Sequence, residues 1–199
     1  ITGEISLTVA HTLLTDLTVR PDLRRGCLRV HGHIIGAPDG VAGIVLPGQM
    51  EHLLPYRGGV LNGECPLKGN EAFWDEAHPE LHTISIDLDG DVYETTFGLR
   101  DVRTVGRRLL INGRETFLRG KVDNLLYPKT GYTPTDVASW MTILGIAKEY
   151  GINHYRYHTA CPPDAAFTAA DLLGVYMAPE LPFWGTVTEE GEEGYDERE

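Results

Sequence analysis

At 199 residues, 42% hydrophobic and 23% charged, the chain has the composition of a globular protein with room for one large core or two modest ones. Its formal net charge of −12 argues against nucleic acid as a partner, because phosphate binding needs a basic face. No apolar run approaches the roughly 18 residues that span a bilayer, which argues equally against a membrane partner.

The opening residues, "ITGEISLTVAH", lack the charged-then-apolar layout of a signal peptide. A chain starting at Ile1 leaves localisation unassigned: an upstream export signal would make it periplasmic or extracellular, and without one it would be cytoplasmic. Up to about Phe117 the sequence reads as strands and turns. In "CLRVHGHII", Leu28, Val30 and Ile34 alternate with Arg29, His31 and His33, the period-2 signature of a half-buried strand. "LHTISIDL" repeats it, and "DVYETTFGL" follows after Asp89-Gly90, a dipeptide suited to a tight hairpin. Turn signals such as "RPD", "GAPDG", "LPGQ" and "YRGG" separate the strands, so residues 1–103 are expected to form an antiparallel β-sandwich. "LLINGRETFL" adds a second hairpin, with Asn112-Gly113 at a type I′ turn.

The period then changes. "TPTDVASWMTILGIAKEYG" predicts a helix capped by Thr133, with Pro134 in its first turn, Val137, Trp140, Met141, Leu144 and Ala147 on one face, and Gly151 as its stop. "INHYRYH" reads as a strand, "PDAAFTAADLLG" as a helix ending at Gly174, and "VYMAPEL" as another strand. With a strand near 118–122, this is a right-handed βαβαβ unit with a parallel sheet. A closed (β/α)8 barrel needs roughly 250 residues and only about 80 follow Phe117, so residues 104–199 are expected to hold about three βα units of an incomplete barrel. The tail from Glu189, "EEGEEGYDERE", carries seven acids and one arginine and is expected to be a solvated end.

Chemistry concentrates between Ile152 and Gly185. A zinc set of His154, His158 and Cys161 is disfavoured, because two histidines four residues apart on a strand lie roughly 13 Å apart by the strand rise. A Cys161 nucleophile would need an activating base, and Pro162-Pro163 indicate a rigid turn instead. Cys27, Cys65 and Cys161 are odd in number and widely spaced, so no disulfide framework or zinc ribbon is expected. Strand parity is more informative. His154, Arg156 and His158 share one face, Tyr155 and Tyr157 the other. At the carboxyl ends of three successive parallel strands fall Asp123-Asn124, then Arg156 and His158, then Glu180 with Trp184 soon after, the edge where such folds build sites. Charged and amide groups beside an indole suit a sugar, whose hydroxyls need polar partners and whose C–H faces stack on aromatic rings.

Four stretches carry a family resemblance: "AFWDEAHPELHTISIDL", "FGLRDVRTVGRRLLINGRETFLRGK" from Phe97 to Lys121, "KEYGINHYRYH" and "AADLLGVYMAPE". In this order and spacing they resemble glycoside hydrolase family 2, the group of β-galactosidases, β-glucuronidases and β-mannosidases. The resemblance implies an immunoglobulin-like sandwich leading into a TIM barrel, with hydrolysis of β-linked sugars through a glycosyl-enzyme intermediate. It implies that Arg156 and Glu180 fall near the sugar; in the parent enzyme Arg156 would donate to sugar hydroxyls or a carboxylate, Asp123 and Asn124 would orient hydroxyls and Trp184 would stack on a ring, with His158 a further substrate-binding candidate on the same edge. Asn124 and Thr159 stand where the family often has histidine, and "ELPFWG" lacks the acidic pattern of the magnesium site in some β-galactosidases, so no metal or cofactor is expected. The family's two catalytic glutamates lie on the fourth and seventh barrel strands, beyond Glu199, so no catalytic residue is assigned within these residues. The expected partners are a glycoside or oligosaccharide substrate and the remaining domains of a longer parent chain. The alternative reading is a non-catalytic carbohydrate-binding or domain-docking β-sandwich module.

Overall fold

The computed structural model describes residues 7–183 together with Gly191 and Glu193. The first half contains β1 (Leu13–Asp22), β2 (Cys27–Ile35), β3 (Gly40–Val45), β4 (His52–Arg57), β5 (Val60–Pro66), β6 (His82–Leu88) and β7 (Asp91–Phe97). These pair antiparallel in the order β1-β2-β5-β4-β3-β6-β7. Only Tyr56–Leu61 and Arg57–Val60 join β4 to β5. The sheet curls so far that Tyr93 Oη of β7 donates to the Thr12 carbonyl beside β1 at 3.1 Å. The result is a nearly closed, strand-rich body consistent with the expected sandwich. Alternation explains its core: Leu28, Val30, Ile44, Ile84 and Ile86 are fully buried while Arg29, on the other face of β2, is exposed. Asp89-Gly90 joins β6 to β7 with both residues at positive φ (54° and 98°), the backbone a type I′ hairpin requires.

A second, smaller sheet follows from β8 (Val102–Val105), β9 (Arg108–Ile111) and β10 (Arg114–Glu115), in the order β10-β9-β8. Asn112-Gly113 forms the turn between β9 and β10 with φ of 51° and 76°, as its sequence requires. β8 runs across position 103, where the sequence places the domain boundary, and the seven-stranded sheet itself ends at Phe97.

The third layer is parallel: β11 (Gly120–Asp123), β12 (His154–Tyr157) and β13 (Tyr176–Ala178), with α1 (Val137–Glu149) and α2 (Asp164–Leu173) as crossovers. Both helices pack on the face that carries Tyr155 and Tyr157; Trp140, Leu144, Ala147, Ala166, Ala169 and Ala170 fill that interface. The expected cap of α1 needs correction. Asp136, not Thr133, is the N-cap, accepting from the Ser139 amide at 2.8 Å and the Ser139 hydroxyl at 2.8 Å. Thr133 and Pro134 lie before the helix, where the Pro134 carbonyl accepts from Trp140 Nε1 at 2.9 Å and ties the entering chain to the first turns. No fourth parallel strand lies among the described residues, so the βαβαβ sheet is open.

The connection between β5 and β6 joins the two halves. Trp74 is buried; its indole N–H donates to the Asp171 carbonyl at 2.7 Å, its ring meets Tyr176 edge-on, and Arg100 lies 4.9 Å from the ring centroid. Lys148 Nζ donates to the carbonyls of Glu76 and Leu173, and Arg119 pairs with Glu76 at 3.1 Å. Gly174 completes this joint. Its φ of +74° ends α2, and a Cβ there would sit 2.8 Å from the Glu76 carbonyl oxygen, so no other residue fits.

Candidate active-site edge

The carboxyl end of the parallel sheet brings Arg156, His158 and Glu180 together. Arg156 leaves β12 on the face opposite the helices, because Tyr155 and Tyr157 on either side of it are buried against α1 and α2. Its Nε donates to Glu180 Oε1 at 2.6 Å. The other Glu180 oxygen accepts from the Thr159 amide at 2.8 Å, and the Glu180 amide donates to the Ala160 carbonyl at 3.0 Å. The loops leaving β12 and β13 are thus locked to each other through one carboxylate. The Thr159 amide, with the Arg156 guanidinium and His158 behind it, holds the Glu180 carboxyl below the usual glutamate range. His158 also lies on this edge, its amide donating to the Asp123 carbonyl at 2.9 Å and its Nδ1 standing 3.3 Å from Thr159 Oγ1.

Asp123 is placed differently from Arg156. The register pairs Asp123 with Tyr157 and Lys121 with Tyr155, so both turn towards the helices. The Asp123 carboxylate accepts from the Leu125 amide at 2.7 Å and from Lys121 Nζ at 3.1 Å, and Lys121 sits over the Tyr155 ring at 5.0 Å. Its oxygens are engaged inside the unit, behind the sheet from Arg156. Nearby, burial pushes the Tyr127 phenol up to about 12, and Tyr157 is raised further by burial and by Asp123. Asn124, the next residue, is exposed just past the strand end. Trp184 lies outside the described residues.

Thr159 is the contributor that residue-type reasoning does not select. Its φ is +50°, and Leu125, two residues past the end of β11 as Thr159 is past β12, has φ +55°. A left-handed conformation at a β-branched residue costs about 1–3 kcal/mol and persists where surrounding contacts enforce it. Here the Glu180 carboxylate supplies that contact through the Thr159 amide. No sequence signal marks it, because threonine is not a residue that advertises positive φ.

At the other end of β12, burial lowers the His154 pKa, and His154 borders a cleft of about 410 Å³ with Arg100, Asp171 and Tyr176. Among the described residues no group of three or more His, Cys, Asp or Glu side chains could hold a metal ion. Cys161 is exposed in the turn after the edge, its Sγ facing the Pro162 carbonyl.

No family model matches the sequence, and no curated protein matches it either. The fold does match solved structures. A GH2 β-galacturonidase from Eisenbergiella tayi bound to galacturonate aligns with a TM-score of 0.72 at 20% identity, covering 85% of this chain and 32% of that one. A β-glucuronidase from Parabacteroides merdae gives 0.67 at 15%, over 87% of this chain and 24% of that one. A β-glucuronidase from Ruminococcus gnavus in complex with D-glucaro 1,5-lactone gives 0.64 at 20%, over 86% and 30%. The chain therefore has a GH2-like fold and spans about a quarter to a third of the length of these structures.

Proposed function

We propose that this chain is part of a retaining exo-glycoside hydrolase acting on β-linked sugars, in which it supplies the sandwich and the opening βαβαβ portion of a (β/α)8 barrel. The observation that carries the reading is the Arg156–Glu180–Thr159 lock at the carboxyl edge of a parallel sheet, in a chain whose fold aligns with three glycosidases over 85–87% of its length. In that role Arg156 spends its Nε on Glu180 and keeps its two terminal nitrogens for a ligand. A guanidinium fork held by a carboxylate suits a sugar carboxylate or a pair of neighbouring hydroxyls. Among the β-linked glycosides that the sequence allows, uronides come first, since the three solved structures described above are a galacturonidase and two glucuronidases. Retaining hydrolysis needs two carboxyl groups about 5–5.5 Å apart, an acid and a nucleophile. Glu180, engaged by Arg156 and Thr159, serves as a positioning residue, and the catalytic pair belongs to chain beyond Glu199.

The test uses a chain extended past Glu199, assayed on nitrophenyl β-galacturonide, β-glucuronide, β-galactoside and β-mannoside. The expected result is turnover of a uronide with retained anomeric configuration, and a KM about tenfold higher or more for Arg156→Ala, the size of one lost charge-assisted contact. No turnover on any of the four substrates, or an Arg156→Ala enzyme indistinguishable from the parent, would overturn it.

A further inference from the structure

A second polar concavity lies on the strand-rich body and shares no residue with the Arg156–Glu180 edge. Two adjoining clefts, of about 380 Å³ and 240 Å³, have Leu23, Arg24 and Asp101 as a common wall. Arg20, Arg24, Arg29, Arg100 and Arg103 all border them, five of the 17 lysines and arginines of a chain whose net charge is −12. Two of the five are internally balanced: Arg29 pairs with Asp22 at 3.1 Å and Arg103 with Asp101 at 3.2 Å. Arg100 lies against the Trp74 ring. Arg20 and Arg24 are exposed, and among the described residues no carboxylate pairs with either. At the far end stands Phe73, half exposed beside Arg24 and Arg103.

We infer that this groove binds an acidic oligosaccharide of two or three carboxylated sugar units, with Arg20 and Arg24 on the carboxylates and Phe73 under a pyranose ring. The chemistry is that of the pieces present. Guanidinium groups take carboxylates through paired N–H donors, and a solvent-facing aromatic ring offers a surface to sugar C–H groups. Small apolar walls from Pro21 and Leu23 suit a short amphipathic ligand. A nucleic acid strand is the poorer occupant, because the −12 net charge opposes a long polyanion while permitting a short one seated in a local cationic groove. The site would tether an acidic polymer or hold one of its branches independently of hydrolysis.

Isothermal titration of the 199-residue chain with tri-galacturonate at low salt tests this. Neutral cellotriose, inorganic phosphate and a short single-stranded DNA serve as the comparison ligands. The expected result is binding of tri-galacturonate at least tenfold tighter than cellotriose, weakened by salt, and reduced tenfold or more in the Arg20→Glu/Arg24→Glu variant and in Phe73→Ala. Arg25→Glu should leave binding unchanged, since Arg25 pairs with Glu64 outside the groove. Thermal unfolding of the double variant should match the parent, because neither arginine holds a structural partner among the described residues. Equal binding of the neutral sugar, equal or tighter binding of phosphate or DNA, or a charge-reversed protein that binds as before would each overturn the assignment. Binding lost in Arg20→Glu/Arg24→Glu reports on this groove, and the KM of Arg156→Ala in the extended chain reports on the parallel-sheet edge, so a failure here is separable from a failure there.

Discussion

The strand-rich body and the parallel unit use the same kinds of side chain to opposite ends. In the body, Leu28, Ile44, Ile84, Ile86 and their neighbours face one another across a sheet that has curled almost shut, so its apolar surface is consumed internally. In the parallel unit α1 and α2 close one face; on the other, Trp74 covers Tyr176 of β13 while Val122, exposed at 53%, stands open beside Arg156. Residues 13–97 therefore behave as a self-sufficient core. Residues 120–178 form a half-covered layer, pinned to that core through Trp74, Lys148 and Gly174. A surface left open and charged at a strand end is where a ligand and further chain can be accommodated, whereas a curled sheet offers its ligands only loops and outer faces.

The sharpest way to break this comparison is Trp140→Ala. Trp140 is fully buried, meets Tyr127 and Tyr157 edge-on and donates to Pro134. Its loss should cost about 3–5 kcal/mol and fall on the parallel unit alone. Two-wavelength thermal unfolding should show an early helical transition while the strand signal melts as before; a single transition shifted as a whole would show that the halves share one core. Trp74→Ala removes the pin instead and should cost about 3 kcal/mol, splitting a joint transition into two with both helices still formed at low temperature. Gly174→Ala strains the same joint through its positive φ and the Glu76 carbonyl and should cost about 1–3 kcal/mol, read as a lower urea midpoint. Asp136→Ala loses a cap that binds the Ser139 amide and should have the smallest effect of the four, confined to α1 and visible as faster amide exchange in its first turn.

The acid response sharpens the comparison at its smallest scale. Glu180 and Asp136 both have folded pKa values below their ordinary ones, so the stability each supplies is present above the ordinary carboxylate pKa and lost as pH falls through the folded value. Comparing urea midpoints at pH 7 and pH 3 should therefore show the parent losing more than Glu180→Gln does. A Glu180→Gln protein with the parent's acid sensitivity would mean that the lock adds nothing to the fold.

The body was legible because alternation and turn dipeptides are local: Leu28, Val30 and Ile34, and the Asp89-Gly90 and Asn112-Gly113 turns, can be read without knowing what lies opposite. The parallel unit was legible in its elements and in the face of Arg156, set by the parity of one strand. It was not legible in the face of Asp123. That face depends on the register of β11 against β12, which the long α1 crossover fixes and no local pattern records. The start of α1 was displaced for a similar reason, since Thr133 and Asp136 are both good caps and the choice fell to the one whose oxygen reaches the Ser139 amide. The Thr159 amide became part of the edge only once Glu180 was delivered to it by the next strand.

The most direct test is hydrolysis of nitrophenyl β-galacturonide and β-glucuronide by two purified proteins side by side, one ending at Glu199 and one extended past it to include the carboxylate pair that the proposed function requires. No release above buffer is expected from the first, because both Glu180 oxygens are engaged, by Arg156 and the Thr159 amide, and steady turnover is expected from the second. Turnover by the 199-residue chain that disappears on Glu180→Gln would contradict it, by showing that the open edge already carries its own catalytic group.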